Sequence, residues 1–211
     1  MTKTLARNLS FILQRSDLHG RFLNTLSYLE YVGLRKIIKS QTASEMVPSV
    51  LVHAAEEARH ASLLKRLALK VGGAELGTYQ SRALLCGEKA EAYFQALDRG
   101  TAHVLSSHSL PGVDISRLTY AYVTWLVERR ALDVYGTYME EAHSLGMATH
   151  FAGLLKEEDG HLAEMELWIE AVDPRKGTNR NTLVELESRL FDEFLRALSL
   201  VIGLEPMHAF P

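Results

Sequence analysis

The amino-acid sequence predicts an all-α protein. Five prolines among 211 residues leave long stretches in which apolar residues recur with helical spacing. The Val/Ile/Thr alternation that is typical of strands is scarce. Two Glu-x-x-His motifs, Glu57–His60 and Glu158–His161, lie within such stretches, and residues three apart share one face of a helix. These observations predict a bundle of helices with polar side chains in its interior.

Length and composition are those of an ordinary globular protein. The 211 residues suffice for one well-buried core, and we expect a single domain over residues 1–211. A composition of 47% hydrophobic and 23% charged residues is typical of globular domains. The net charge of −3 gives no support for a surface that binds nucleic acid. The apolar runs are far too short for a membrane span.

Cysteine usage excludes several kinds of site. Cys86 is the single cysteine, so the sequence offers no disulfide framework, no cysteine-based zinc site and no iron–sulfur cluster. The first residues contain no continuous apolar core of signal-peptide length. We therefore expect the protein in the reducing cytoplasm.

The first part of the chain predicts a short helix followed by a helical hairpin. Ser16 or Asp17 is a candidate cap for the second helix, Pro48 suits the first turn of the third, and Gly72 marks its end. A polar loop is expected at 42–47. The predicted helices are residues 3–14, about 17–41 and 48–72.

The second part of the chain predicts a long crossover, a second hairpin and a final helix. The crossover, 74–111, is expected to contain its own helix at about 78–107. Asp114 is a candidate cap for the helix after it. A polar linker, 174–181, and a capping box at Thr182–Glu185 are expected before the last helix. The predicted hairpin helices are about 114–143 and 147–172, and the last helix is about 182–203.

The last predicted helix carries a wide apolar stripe. This stripe would cover the end of the bundle, line a substrate entrance or form the contact of a homodimer. Covering the bundle is the simplest of the three interpretations.

The two Glu-x-x-His motifs belong to a unit that occurs twice. Each motif follows another glutamate, Glu30 or Glu128, by about 30 residues. The positions three, four and seven residues away from the four glutamates are mainly apolar or small, so these carboxylates should face inward. Two further matches lack this setting. Glu140–His143 is interpreted as a solvated face, and Glu205–His208 as a tail.

Inward-facing carboxylates indicate a metal site. An isolated buried charge costs many kcal/mol, so such a group must be paired, protonated or metal-bound. Two divalent ions would balance four carboxylates, with His60 and His161 as neutral ligands. The alternative is a metal-free bundle in which these residues form ordinary hydrogen bonds or salt bridges.

The doubled unit resembles the ferritin-like di-iron carboxylate proteins, in which two helices each give one Glu and two others each give Glu-x-x-His. The resemblance covers about residues 17–172, and the long crossover fits it. It leaves open which carboxylates bridge the ions. It implies the following metal ligands: Glu30, Glu57, His60, Glu128, Glu158 and His161.

The resemblance implies an oxidoreductase that activates O2 or a peroxide on a small organic substrate. The metals would be two irons, two manganese ions or a mixed pair, because carboxylates and imidazoles suit these ions. The alternative is iron oxidation and storage, or metal buffering. His53 and Tyr135 are candidates for contact with the ligands, and core packing is the alternative for both. The substrate, the electron donor and the oligomeric state stay open.

Overall fold

The structure, a computed structural model, describes residues 2–40, 48–107 and 113–205. These ranges contain seven α-helices, three short 3-10 helices and no strand, which confirms the predicted all-α class. None of the helices in them is long and apolar enough to cross a membrane. The helices are α1 Thr2–Leu13, α2 Ser16–Ser40, α3 Pro48–Gly72, α4 Gly87–Ser106, α5 Ile115–Glu141, α6 Ala148–Val172 and α7 Lys176–Val201, and the 3-10 helices are Ala74–Gly77, Ser81–Ala83 and His143–Leu145.

The chain divides into two compact units. The first unit comprises Met1–Glu91 and Leu195–Pro211, and the second comprises Ala92–Phe194. Helices α1, α2 and α3 belong to the first unit, and α5 and α6 belong to the second. The single domain expected from the sequence stays a prediction.

The first unit is built on the hairpin of α2 and α3, which pack against each other. Two glycines let the backbones of these helices meet, since a Cβ at Gly20 would lie 2.7 Å from the Cα of Gly72. Pro48 is the first residue of α3, as predicted. The polar loop expected at 42–47 lies outside the described residues.

Side chains of α2 hold the segment between α3 and α4, residues 73–86, in place by hydrogen bonds to its carbonyl groups. Asn24 donates hydrogen bonds to the carbonyls of Thr78 at 3.0 Å and Ala83 at 2.8 Å. The Arg21 guanidinium donates to the carbonyl of Leu84 at 2.7 Å and 3.1 Å. Because these carbonyls already have partners, the segment does not need the hydrogen bonds of a long helix. The crossover helix predicted at about 78–107 is therefore wrong in its first part, where the 3-10 helix Ser81–Ala83 precedes α4.

The second unit is built on the hairpin of α5 and α6. The predicted cap of α5 is confirmed, since the Asp114 carboxylate accepts hydrogen bonds from the backbone N–H groups of Ser116 at 2.9 Å and Arg117 at 3.2 Å. Gly146, with φ of 67°, ends the 3-10 helix between α5 and α6. A left-handed residue of this kind favours glycine.

Helix α7 begins earlier than the sequence indicated. The Asp173 carboxylate accepts hydrogen bonds from the Tyr122 hydroxyl at 2.6 Å and the Asn179 side chain at 2.9 Å, and so anchors the first turn. The linker predicted at 174–181 is therefore mostly helical. The capping box predicted at Thr182–Glu185 is wrong, because these residues lie inside α7.

A buried ion pair joins α4, α5 and α7 within the second unit. The Arg130 guanidinium donates to both carboxylate oxygens of Glu187, at 2.8 Å and 2.7 Å. The Tyr93 hydroxyl donates to the same carboxylate at 2.7 Å. Burial, together with the neighbouring Glu187 charge, raises the pKa of Tyr93 well above its usual value. The guanidinium also lies 4.1 Å from the centre of the Phe191 ring.

We expect the Glu187→Ala variant to lose about 3–5 kcal/mol of unfolding free energy. Removing Glu187 leaves the buried Arg130 guanidinium with only the exposed Asp133 as a carboxylate partner, at 2.9 Å. Urea unfolding of the metal-free protein measures this loss. Glu170→Ala is the matched control, since Glu170 forms exposed ion pairs with Lys176 and Arg180. Equal losses in the two variants would contradict a structural role for the buried pair.

A buried histidine makes the stability depend on pH. Burial lowers the pKa of His19 from 6.5 to about 4, so the folded state keeps this imidazole neutral. The unfolded chain binds a proton below about pH 6.5, and stability is therefore lost as the pH falls from there towards 4. We expect His19→Gln to flatten the fall in melting temperature of the metal-free protein over this range. An unchanged slope in the variant would show that other groups cause it.

Candidate metal centre

The first cluster consists of Glu30 on α2 with Glu57 and His60 on α3. One donor atom from each of the three lies within 4.8 Å of the other two. The Nδ1 atom of His60 is 3.9 Å from the Glu30 Oε2 atom. Each of these residues is at most 9% exposed. The hairpin thus brings the lone glutamate level with the Glu-x-x-His motif inside the first unit.

A glycine makes room for this cluster. A Cβ at Gly33 would lie 3.1 Å from the Oε2 atom of Glu57, closer than an ordinary van der Waals contact. Gly33 lies three residues after Glu30 and so on the same face of α2. Sequence reasoning identified that face but gave Gly33 no role, because the approach of Glu57 from the other helix is visible only in three dimensions.

His53 contacts the first cluster through Glu57. The Nε2 atom of His53 is 3.3 Å from the Oε1 atom of Glu57, one helical turn away, and the His53 side chain is 6% exposed. Glu57 belongs to two groups of potential metal ligands, and within each group all donor atoms lie within 4.8 Å of one another. One group contains Glu57 and His53, and the other contains Glu57, Glu30 and His60.

The second cluster consists of Glu128 on α5 with Glu158 and His161 on α6. The Nδ1 atom of His161 is 3.9 Å from the Oε1 atom of Glu128 and 3.5 Å from the Oε2 atom of Glu158. All three side chains are buried. The second unit therefore repeats the arrangement of the first, with a glutamate from one helix beside a Glu-x-x-His motif from the next.

The two clusters differ at two neighbouring positions. Four residues before the motif glutamate stands His53 in the first unit and the buried Leu154 in the second. Three residues after the lone glutamate stands Gly33 in the first unit and Ala131 in the second. The first unit thus has one more nitrogen donor and more room beside its motif glutamate.

The other candidates from the sequence lie outside the clusters. Tyr135 is buried and packs on Phe151, with ring centres 5.6 Å apart, so its environment is aromatic core. Its contact with a metal ligand stays a prediction. Glu140 and His143 are exposed, as the sequence indicated. His208 lies outside the described residues.

The donor set of each unit suits a metal ion. Two carboxylates and an imidazole converge in each interior, and two ionised carboxylates would carry an excess negative charge that burial makes costly. A divalent cation would remove this excess, and oxygen and imidazole donors are those that iron, manganese and zinc accept. The two buried His/Glu clusters could therefore hold metal ions, and the donors alone leave the identity of the metal open.

No family model, curated protein or solved structure matches this chain. The fold and the clusters therefore define its class by themselves. It is an all-helical protein with two buried carboxylate and histidine clusters that resemble the halves of a di-metal site.

We expect Gly33→Ala to weaken metal binding about tenfold or more, because the new methyl group must displace the Glu57 carboxylate, and small shifts of ligands are costly at metal sites. Gly160→Ala is the control. Gly160 precedes His161 inside α6, and no described atom beyond its chain neighbours and the adjacent backbone of α6 lies within 4 Å of where its Cβ would stand. This control should bind metal normally and gain about 1 kcal/mol of stability.

Cobalt(II) titrations measure the metal affinities of both variants. Equal affinities would contradict the proposed clash between a methyl group at position 33 and the Glu57 carboxylate.

Proposed function

We propose that the two clusters bind two divalent metal ions and that the protein is an oxidoreductase of the di-iron carboxylate kind. The observation that carries the proposal is the repeated geometry. In each unit the imidazole of the Glu-x-x-His motif lies 3.9 Å from a carboxylate of the neighbouring helix. The two units together bury four carboxylates and two imidazoles, which is the donor set that two divalent ions would need.

The proposed ligands are the six side chains that the doubled sequence unit indicates. That the two ions share one centre, about 3.5–4 Å apart, rests on this doubled unit and on the resemblance to ferritin-like proteins. Two irons, two manganese ions or a mixed pair fit the oxygen-rich donor set. When bound, such a pair supplies the electron transfers needed to use O2 or a peroxide as an oxidant.

The residues around the clusters favour oxidation of an organic molecule. Buried apolar side chains lie one or two helical turns from each motif glutamate, including Leu64 near Glu57 and Phe151 near Glu158. Apolar walls exclude bulk water, which strengthens the electrostatic effect of the carboxylates on whatever binds there. They also favour the apolar parts of a small substrate. An external one-electron donor would complete the cycle.

Iron oxidation and storage is the second candidate, because its sites use the same donors. Helices α1 and α7 argue against it, since a storage shell does not need helices beyond the four that carry the ligands. The apolar stripe of α7 is buried within the chain at Leu183, Leu195 and Leu198, as expected for a helix that covers a core. Sizing chromatography separates the two functions, because storage requires a large shell and the proposed oxidoreductase a monomer or dimer.

We expect Glu57→Ala and His161→Ala each to lose at least one of two metal ions per chain. Metal should also raise the melting temperature of both variants by less than it raises that of the wild type, because bound metal stabilises the folded state. Elemental analysis after removal of free metal measures the ions. His143→Ala is the control, because His143 belongs to an exposed Glu-x-x-His motif. Two retained ions in both cluster variants would refute the ligand assignment.

A further inference from the structure

We infer that His53 is a third imidazole ligand, so that the two metal ions are held by unequal donor sets. This inference rests on the proposed function. It concerns only residues of the first unit, and it adds a ligand to the six that the doubled sequence unit supplies.

The position of His53 is that of a ligand. Its Nε2 atom lies 3.3 Å from the Oε1 atom of Glu57. Two donors bonded to one ion at about 2.0–2.2 Å lie about 3–3.5 Å apart, so this pair has the spacing of neighbours in one coordination sphere. Residues four apart share a helix face, which is why such pairs on one helix bind a common metal ion.

His53 and His60, the two imidazoles near Glu57, belong to different groups of potential metal ligands. Glu57 is grouped with His53, and separately with Glu30 and His60. One carboxylate therefore lies between two sets of donors. We infer that Glu57 reaches both ions, that Glu30 and His60 bind one of them, and that His53 binds the other.

Hydrogen bonding alone would be the competing role for His53. Imidazoles and carboxylates beside a metal site often orient a ligand without touching the ion. The second unit shows that a motif glutamate does not need a histidine to orient it. Glu158 is almost completely buried, and the residue four positions before it is the apolar Leu154. A motif glutamate in this setting is therefore held in place without a histidine at that position.

Unequal donor sets would give the two ion sites different preferences for iron and manganese. Imidazole favours iron and the later metals, whereas carboxylate favours manganese. The ion beside His53 would therefore prefer iron more strongly than its neighbour does. A mixed manganese and iron pair becomes the expected occupant when both metals are present.

The test is a count of coordinated imidazoles in the cobalt(II)-substituted full-length protein. Proton NMR with 15N-labelled histidine gives each coordinated ring N–H a large contact shift. We expect three such signals in the wild type and two in His53→Leu. Leucine is chosen because Leu154 occupies the matching position in the second unit. His19→Gln is the control, because it removes a buried imidazole outside the clusters and should leave three signals.

Metal affinity provides a second readout. We expect His53→Leu to bind one of its two cobalt ions more than about 100-fold more weakly and the other unchanged, because losing a direct ligand costs more than the roughly 10–100-fold typical of an indirect contact. Two contact-shifted signals in the wild type would overturn the inference while leaving the proposed function intact. Fewer than two cobalt ions per wild-type chain would overturn the proposed function itself. The wild-type count decides the inference even if the variant does not fold.

Discussion

The structure depends on the burial of four glutamates that cannot remain charged and alone. Glu30 with Glu57, and Glu128 with Glu158, lie in the interiors of two helical hairpins. A low-dielectric interior makes such carboxylates costly unless hydrogen bonds, protons or cations compensate them. Each pair has an imidazole within 3.9 Å of one of its members. Because helices and hairpins fix these positions before any ion binds, a metal would meet ligands that are already in place.

The hairpin is therefore both the folding element and the scaffold of the candidate site. Gly33 shows this most clearly, because the lack of a side chain on α2 leaves the space that the Glu57 carboxylate of α3 occupies. Where the second unit has Ala131 and Leu154, the first has Gly33 and His53. The two units thus share the glutamate and Glu-x-x-His pattern and differ at the positions beside it.

The sequence was sufficient for the features that depend on local spacing. The all-α class, the Asp114 cap and the inward-facing Glu-x-x-His motifs follow from periodicity and from capping chemistry. It was insufficient where distant side chains decide the backbone. The segment before α4 is held by Asn24 and Arg21, and the early start of α7 depends on the hydrogen bond from Tyr122 to Asp173. The contact of Glu57 with the Gly33 position is likewise tertiary, since it joins two helices.

Anomalous X-ray diffraction from metal-loaded crystals tests the central claim most directly. Data collected at the absorption edges of iron and manganese locate each ion and identify it. We predict two peaks about 3.5–4 Å apart, with carboxylate oxygens of Glu57 within bonding distance of both and His53 bonded to one. Anomalous peaks that lie beyond bonding distance of the motif glutamates would contradict this prediction. A site without metal, in which ordered water bridges the carboxylates, would also contradict it.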